Sequence, residues 1–292
     1  MITYNHKDFI SESIEGVLMQ KTDFNIELII GEDCSSDNTR NIVLQYAKKY
    51  PEIIRPLLPD KNLGMTNNFI DTMKAAKGRY IAICEGDDFW TDPDKLQKQV
   101  NILESFPHIV AVSTNSSICD LTGTIIKSER LVVKPNNNEG VHNLDDFFSK
   151  SIEYPTLTVM FRNQNMDFIT EELTNMNNPF LGDWILWVLL LLHGDFYFIN
   201  QVTASYRINP NSVTHSVNAV ERWETDFMIR RRLVEILPVE YHKYLKDNTY
   251  AYHMMGMAYR KKNNLLLFIY YQVIALLNNP RKLYFIFKNK FL

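Results

Sequence analysis

The sequence predicts an α/β fold, a sheet with helices on both faces, followed by a helical extension. Three observations carry this. Short apolar runs alternate with helix-period segments through the first hundred residues; acidic clusters stand immediately after two of those runs; and from about Val217 the spacing is helical throughout. Ligands of such sheets bind outside the carboxyl ends of the strands, where both acidic clusters fall.

The elements follow in order. Only Met1 to Thr3 precede the Tyr4-Asn5 turn, where a sheet of this kind opens on a full central strand, so the first strand is expected to be truncated and Met1 to be an internal methionine. Phe9, Ile10, Ile14, Val17 and Leu18 recur at helical spacing, and Ile26 to Ile30 forms a compact buried strand ending in Gly31-Glu32-Asp33. Asp37-Asn38-Thr39 caps a second helix through Tyr46 and Ala47, which Pro51 breaks before an extended Ile53 to Leu58. A third helix runs from Thr66 to Ala76 and stops at Gly78; the strand Tyr80 to Cys84 runs directly into Glu85-Gly86-Asp87-Asp88. Beyond Pro93 the pattern gives a helix through Leu96, Val100 and Leu103, a strand at Ile109 to Val112 and a hairpin around Asp120 to Gly123. Extended Thr156 to Phe161, an apolar helix Trp184 to Leu192, and extended stretches at Phe196 to Ile199 and Thr203 to Ile208 complete the pattern.

Charge narrows the function. The formal net charge is −3, which excludes a generally basic nucleic-acid footprint, so no nucleic-acid partner is expected. Residues 254–292 hold seven basic residues and no acid, leaving −10 on residues 1–253. Such a tail suits a membrane surface or a solvated helix face equally. Three widely spaced cysteines indicate neither a disulfide framework nor a zinc site and fit a reducing cytoplasm. The longest apolar stretches fall short of the roughly 18 to 20 residues that span a bilayer. The opening MITYNHKDF lacks the pattern of a secretory leader.

The strongest chemical signal is Glu85-Gly86-Asp87-Asp88 at a strand end. Carboxylates separated by a glycine can present hard oxygen ligands to Mn²⁺ or Mg²⁺, and such a cation would hold a diphosphate. Asp88 and Asp92 have an equally good reading as caps of the helix that follows.

In chain order stand Thr3-Tyr4-Asn5, then Glu32-Asp33-Cys34-Ser35-Ser36-Asp37-Asn38-Thr39, then Asn62-Leu63-Gly64, then the acidic cluster. This resembles the family 2 glycosyltransferases of bacterial surface-polysaccharide synthesis, over residues 1 to about 215. The resemblance implies a Rossmann-like mixed sheet of the A-type glycosyltransferase fold, in a domain at 1–215 with a helical extension at 216–292. It implies an inverting, metal-dependent enzyme of the hexosyltransferase type that moves a sugar from a nucleotide-diphosphate donor, a UDP-sugar above all, to a glycan or lipid-linked acceptor. Donor contacts would come from Thr3, Tyr4, Asn5, Glu32, Asp33, Asn62, Gly64, Glu85, Gly86, Asp87 and Arg207, with Asp33 on the base. Asp87 and His215 would hold the metal, and Arg207 would neutralise phosphate charge. The family usually has Asp where this chain has Glu32 and Glu85, and Gly where it has Cys34. Asp183, in Leu181-Gly182-Asp183-Trp184, resembles the family's general base; as an ordinary helix cap it needs no catalytic role, and the two readings are compatible.

Two rivals remain. A nucleotidyltransferase would want an early glycine-rich basic loop, which is absent. A catalytically inactive sugar-nucleotide-binding scaffold is kept open by Glu85. In the tail, Leu265 to Leu277 with flanking basic residues suits either a helix docked on the inner membrane face or a hairpin packed on the protein.

Overall fold

A computed structural model of the chain describes residues 1–130, 132–133, 138–176, 183–209 and 219–246, then 252, 254, 256, 257, 259, 261 and 264–278. The chain divides into two compact units, Met1–Pro210 and Asn211–Leu292.

The first unit runs β1 (Ile2–Thr3), α1 (Ile10–Leu18), β2 (Leu28–Glu32), α2 (Thr39–Lys49), β3 (Ile54–Leu57), α3 (Met65–Ala75), β4 (Tyr80–Ala82), β5 (Phe89–Trp90) and α4 (Lys95–Ser105). Then come β6 (Ile109–Cys119), β7 (Ile125–Lys127), β8 (Gly140–His142), α5 (Leu144–Ser149), β9 (Met160–Arg162), α6 (Met166–Asn175), α7 (Asp183–Leu191) and β10 (Asp195–Arg207). Strands β1, β2 and β3 pair in parallel, with β2 in the middle. A single parallel bridge from Ile2 to Glu85 joins them to the order β4-β9-β6-β10-β5, in which β9 is antiparallel to both its neighbours and β6 runs parallel to β10. The result is the mixed α/β sheet that the alternation implies.

Burial explains the local choices. All five residues of β2 are buried, as a strand covered on both faces requires, so it reads as a continuous apolar run. Gly31 lies where α3 presses closest: a Cβ there would fall 2.1 Å from Thr72 Oγ1 and 2.3 Å from Asn68 Oδ1. Ile10, Ile14 and Val17 of α1 join Leu28 and Ile30 of β2, and Leu96, Val100 and Leu103 of α4, in one core. Helix α7 is apolar all round and buried from Ile185 to Leu191.

The structure departs from the sequence pattern in four places. Strand β6 continues seven residues beyond Val112 through Ser113-Thr114-Asn115-Ser116-Ser117, where buried partners meet much of its polar half: Ser113 Oγ meets Thr158 Oγ1 at 2.9 Å, and Thr114 Oγ1 meets Thr203 Oγ1 at 2.6 Å, while Ser116 Oγ is enclosed without a hydrogen-bond partner. The two stretches expected at Phe196 and Thr203 are one strand, β10, with register shifts around exposed Asn200-Gln201. Thr156 to Thr158 is a 3₁₀ turn ahead of β9, where an extended segment was expected. Helices α5 and α6 and strand β8 had no expected counterpart.

The second unit contains helices Ala219–Ile236, His242–Lys246 and Leu265–Asn278. Buried Ile229, Leu233, Leu237 and Leu245 form its apolar contacts, and the Tyr259 and Tyr271 rings stack at 5.5 Å. Among the described residues no helix is long and apolar enough to cross a membrane.

Candidate active site

Two neighbouring strand ends build the site. β1 delivers Thr3 and the turn Tyr4-Asn5-His6; beyond β4, buried Ile83 and Cys84 lead into Glu85-Gly86-Asp87-Asp88. The Gly86 N–H donates to Ile2 O at 2.9 Å. That approach needs glycine, since a Cβ would fall 2.5 Å from Thr3 Oγ1 and 2.7 Å from Thr3 Cβ. His6 completes the corner, with Nε2 3.7 Å from Asp87 Oδ2 and Nδ1 3.3 Å from Thr3 Oγ1.

The acids here differ in surroundings. Glu85 Oε2 is enclosed and has no hydrogen-bond partner. Burial, then the charges of Asp87 and Asp183, push its carboxyl up to about 8. Asp88 is also buried, and burial together with Asp87 and Glu85 pushes it well above the carboxylate range; its Oδ1 accepts the Arg207 N–H at 2.8 Å. Asp87 stays partly open to solvent. Asp183, the first residue of α7, is exposed and accepts a hydrogen bond from Thr156 Oγ1 at 2.5 Å.

Beside this cluster the first turn is zipped to the loop after β2. The Asn5 N–H donates to Ser35 Oγ at 2.9 Å, the Ser36 N–H to Asn5 Oδ1 at 2.9 Å, and the His6 N–H to Thr39 Oγ1 at 2.9 Å. The Asp33 N–H donates to Thr3 O at 3.0 Å, while its carboxylate accepts from Leu63 N at 2.7 Å and Gly64 N at 3.0 Å. Asn62 Nδ2 donates to Asp33 O at 3.0 Å, and Gly64 takes the positive φ of 82° that glycine tolerates best. Thr3, Tyr4, Asn5, Asp33, Asn62, Gly64, Glu85, Gly86 and Asp87 thus come from adjoining strand ends and loops, while Asp183 stands at the start of α7.

Two expected donor contacts are corrected. Glu32 is 0% exposed and its carboxylate is taken by Arg40 Nε and the Ser35 N–H, so it holds the loop instead of facing a ligand. The Arg207 side chain is 2% exposed, and its guanidinium is spent inward on Asp87 O at 2.9 Å, Leu121 O at 3.0 Å, Asp120 O at 3.2 Å and the Glu12 carboxylate, so it braces the acidic loop instead of neutralising phosphate. His215 lies outside the described residues. Three contributors escaped the sequence pattern. His6 was visible as the residue after the Thr-Tyr-Asn turn. Thr156 gave no signal, and Ser13 looked like an ordinary helix residue although its Oγ lies 2.6 Å from Asp88 O and 3.0 Å from Gly86 O.

Among the described residues no three His, Cys, Asp or Glu side chains are placed to hold a metal ion by themselves. The residues nevertheless fit a cation shared with a ligand. Glu85 Oε2 is an enclosed acceptor without a partner and Asp87 is reachable, and Mg²⁺-type ions are commonly bound by one or two carboxylates plus substrate phosphates.

The family model described as Glycosyl transferase family 2 matches residues 1–167. An uncharacterized protein of Mycobacterium tuberculosis is 31% identical over 229 residues, covering 77% of this chain; the chain spans only 62% of that relative's length. The putative teichuronic acid biosynthesis glycosyltransferase TuaG of Bacillus subtilis is 30% identical over 214 residues, 73% of this chain and 79% of TuaG. Among solved structures, S. aureus TarS 1–349 in complex with UDP-GlcNAc superposes with a TM-score of 0.58 at 15% identity, over 88% of this chain and 69% of that one. The mannosyltransferase PcManGT from Pyrobaculum calidifontis, in complex with GDP-Man and Mn²⁺, gives 0.57 at 16% identity, over 94% and 73%. At these identities the two structures bear on the fold.

Proposed function

Because the chain belongs to glycosyl transferase family 2, we propose that it is an inverting glycosyltransferase, of the hexosyltransferase type, moving a sugar from a nucleotide-diphosphate donor to a hydroxyl of a glycan or lipid-linked acceptor. The observation that carries the reading is an acidic loop with Asp87 in reach of solvent together with a second, exposed carboxylate, Asp183, held by Thr156 Oγ1 at the start of α7. A base on one side of a bound sugar and a diphosphate site on the other is the arrangement a single displacement needs.

Asp183 takes the proton of the acceptor hydroxyl as its oxygen attacks the anomeric carbon, and the configuration inverts. Thr156 fixes the carboxylate, leaving Oδ1 for the acceptor. Thr3, Tyr4 and Asn5 line the nucleotide side. Asp33 is 2% exposed and both its carboxylate oxygens accept from the Leu63 and Gly64 N–H groups, so it shapes the nucleotide side by holding that turn, and the preference for a UDP-sugar rests on the family pattern. Asp87, with Glu85 behind it, would hold a divalent cation, Mn²⁺ or Mg²⁺, which stabilises charge on the leaving diphosphate when bound. The teichuronic acid biosynthesis to which TuaG is assigned and the Mn²⁺ in the PcManGT complex support a surface-polysaccharide acceptor and a divalent ion. A cytoplasmic enzyme, peripheral on the inner face of the membrane, suits such an acceptor.

Calorimetric titration with UDP, GDP and dTDP, each with Mn²⁺ or with EDTA, tests the donor half. Metal-dependent binding of one nucleotide, lost in Asp87→Ala, is expected. Absence of binding to all three removes the reading; binding without turnover across a broad acceptor panel makes the protein a scaffold.

A further inference from the structure

The helix Leu265–Asn278 exposes an apolar face that no described residue covers. Leu265, Leu266, Ile269, Val273, Leu276 and Leu277 are all exposed, Leu266 at 82% and Leu277 at 78%. At 100° per residue they fall, with Tyr270 at the margin, within one arc of about 140°. The opposite side is occupied within the same unit: Ala275 is buried, Tyr271 stacks on Tyr259, and a Cβ on Gly256 would fall 2.3 Å from Gln272 Nε2. A contiguous apolar face of this kind on a packed helix marks an interaction surface.

Charge says what covers it. Arg260, Lys261 and Lys262 precede the helix, Arg281, Lys282, Lys288 and Lys290 follow it, and residues 254–292 contain no acid. A protein partner able to attract seven basic residues would have to be strongly acidic and to offer an apolar groove beside that charge. A sheet of anionic lipid headgroups supplies negative charge on both sides of an apolar layer. The described helix has 14 residues, about 21 Å at 1.5 Å each, against the roughly 30 Å hydrocarbon core, a length suited to lying on the bilayer. We propose that the Leu266/Ile269/Val273 face of this helix seats in the interface of an anionic lipid bilayer, held by the flanking basic residues. The proposal is independent of the glycosyl-transfer reading.

Vesicle sedimentation of the full chain tests it without any activity readout. The wild type should bind vesicles of equimolar phosphatidylglycerol and phosphatidylcholine at least roughly tenfold more tightly than phosphatidylcholine alone, and lose that preference at high salt. Leu266→Glu/Ile269→Glu/Val273→Glu, all at exposed positions, should melt like wild type and lose at least roughly tenfold in vesicle affinity. Arg281→Glu/Lys282→Glu should weaken binding to the anionic vesicles only. Failure of the wild type to bind, equal binding to both vesicle types, or unchanged binding by the triple variant overturns the proposal. So does a wild-type dimer that the triple substitution dissolves with no vesicle binding, since the face would then join two copies of the chain.

Discussion

Arg207→Met separates two uses of one guanidinium. In the structure the group is buried and its Nε–H and Nη–H donors end on Asp87 O, Asp120 O, Leu121 O and Glu12, with the rings of Phe9 and Phe89 4.8 and 5.1 Å from Cζ. Hydrogen bonds from a charged donor are worth roughly 1.5–3 kcal/mol each. Not all of that is lost. The Glu12 side chain is 51% exposed, so its ion pair adds about 0–1 kcal/mol. Leu121 is exposed and Asp120 half-buried, so their carbonyls turn to water when the donor goes. The bond to Asp87 O, inside the acidic loop, carries most of the effect, and the expected net loss is about 2–4 kcal/mol. At about 2–4 °C per kcal/mol for a unit of this size, the melting temperature should fall by roughly 5–15 °C. Thermal denaturation run beside nucleotide calorimetry reads both quantities. Arg207→Met should lose stability first and nucleotide affinity as a consequence, Arg207→Lys should recover only part of either, and Glu12→Gln should be near wild type in both. A variant that melts like wild type but no longer binds nucleotide, with affinity restored by lysine, would show that the charge faces phosphate and would refute the bracing role.

Three further outcomes are expected. Gly86→Ala puts a Cβ 2.5 Å from Thr3 Oγ1 and should cost about 1–3 kcal/mol in denaturant unfolding while weakening nucleotide binding; wild-type values for both would mean that the β1–β4 contact is not tight. Thr156→Val removes the hydroxyl on Asp183 and should lower kcat roughly tenfold with little change in donor KM, whereas an effect confined to KM would place Thr156 on the donor. The pH dependence of stability in EDTA should carry two opposite slopes. Glu85 has a folded value of about 8 against 4.5, so the native state holds its proton longer and stability is lost as pH rises from about 4.5 through 8; Lys95, lowered by burial from 10.5 to about 7, releases its proton early in the native state, so stability grows from pH 7 to about 10.5. Glu85→Gln should shrink the first limb, to which buried Asp88, also raised, contributes in the same direction, and Lys95→Met should flatten the second; a first limb unchanged in Glu85→Gln belongs to another group.

What the sequence revealed and what it hid divide along one physical line. A fully buried parallel strand is a continuous apolar run, so Leu28 to Glu32 stands out at once; the acids behind Tyr80 to Cys84 stand out because they follow a short apolar run directly, and with them the position of the site. The second half of β6 is as buried as the first but made of Ser, Thr and Asn, and its burial depends on hydroxyl partners at Thr158 and Thr203, 45 and 89 residues away. No local window contains them. The same holds for the direction a charge faces. Glu32 and Arg207 look like ligand contacts because they are charged and flank the right motifs, yet Glu32 pairs with Arg40, eight residues on along α2, and Arg207 reaches Glu12 across 195 residues.

Packing so many acids together is unfavourable unless each is given a different environment, and the fold does so. Asp88 is turned inward on the Arg207 backbone N–H, and Glu85 is enclosed where burial favours its neutral form. Asp87 and Asp183 are the carboxylates of this cluster left in reach of solvent, one beside His6 at the end of β4 and the other on Thr156 at the start of α7. Those two are set by different elements, so a ligand between them can meet a cation-binding group and a proton acceptor without either having to move. Arg207, Ser13 and Thr156 act through the acids they brace, and substitutions there should impair the site as reliably as substitutions of the acids themselves.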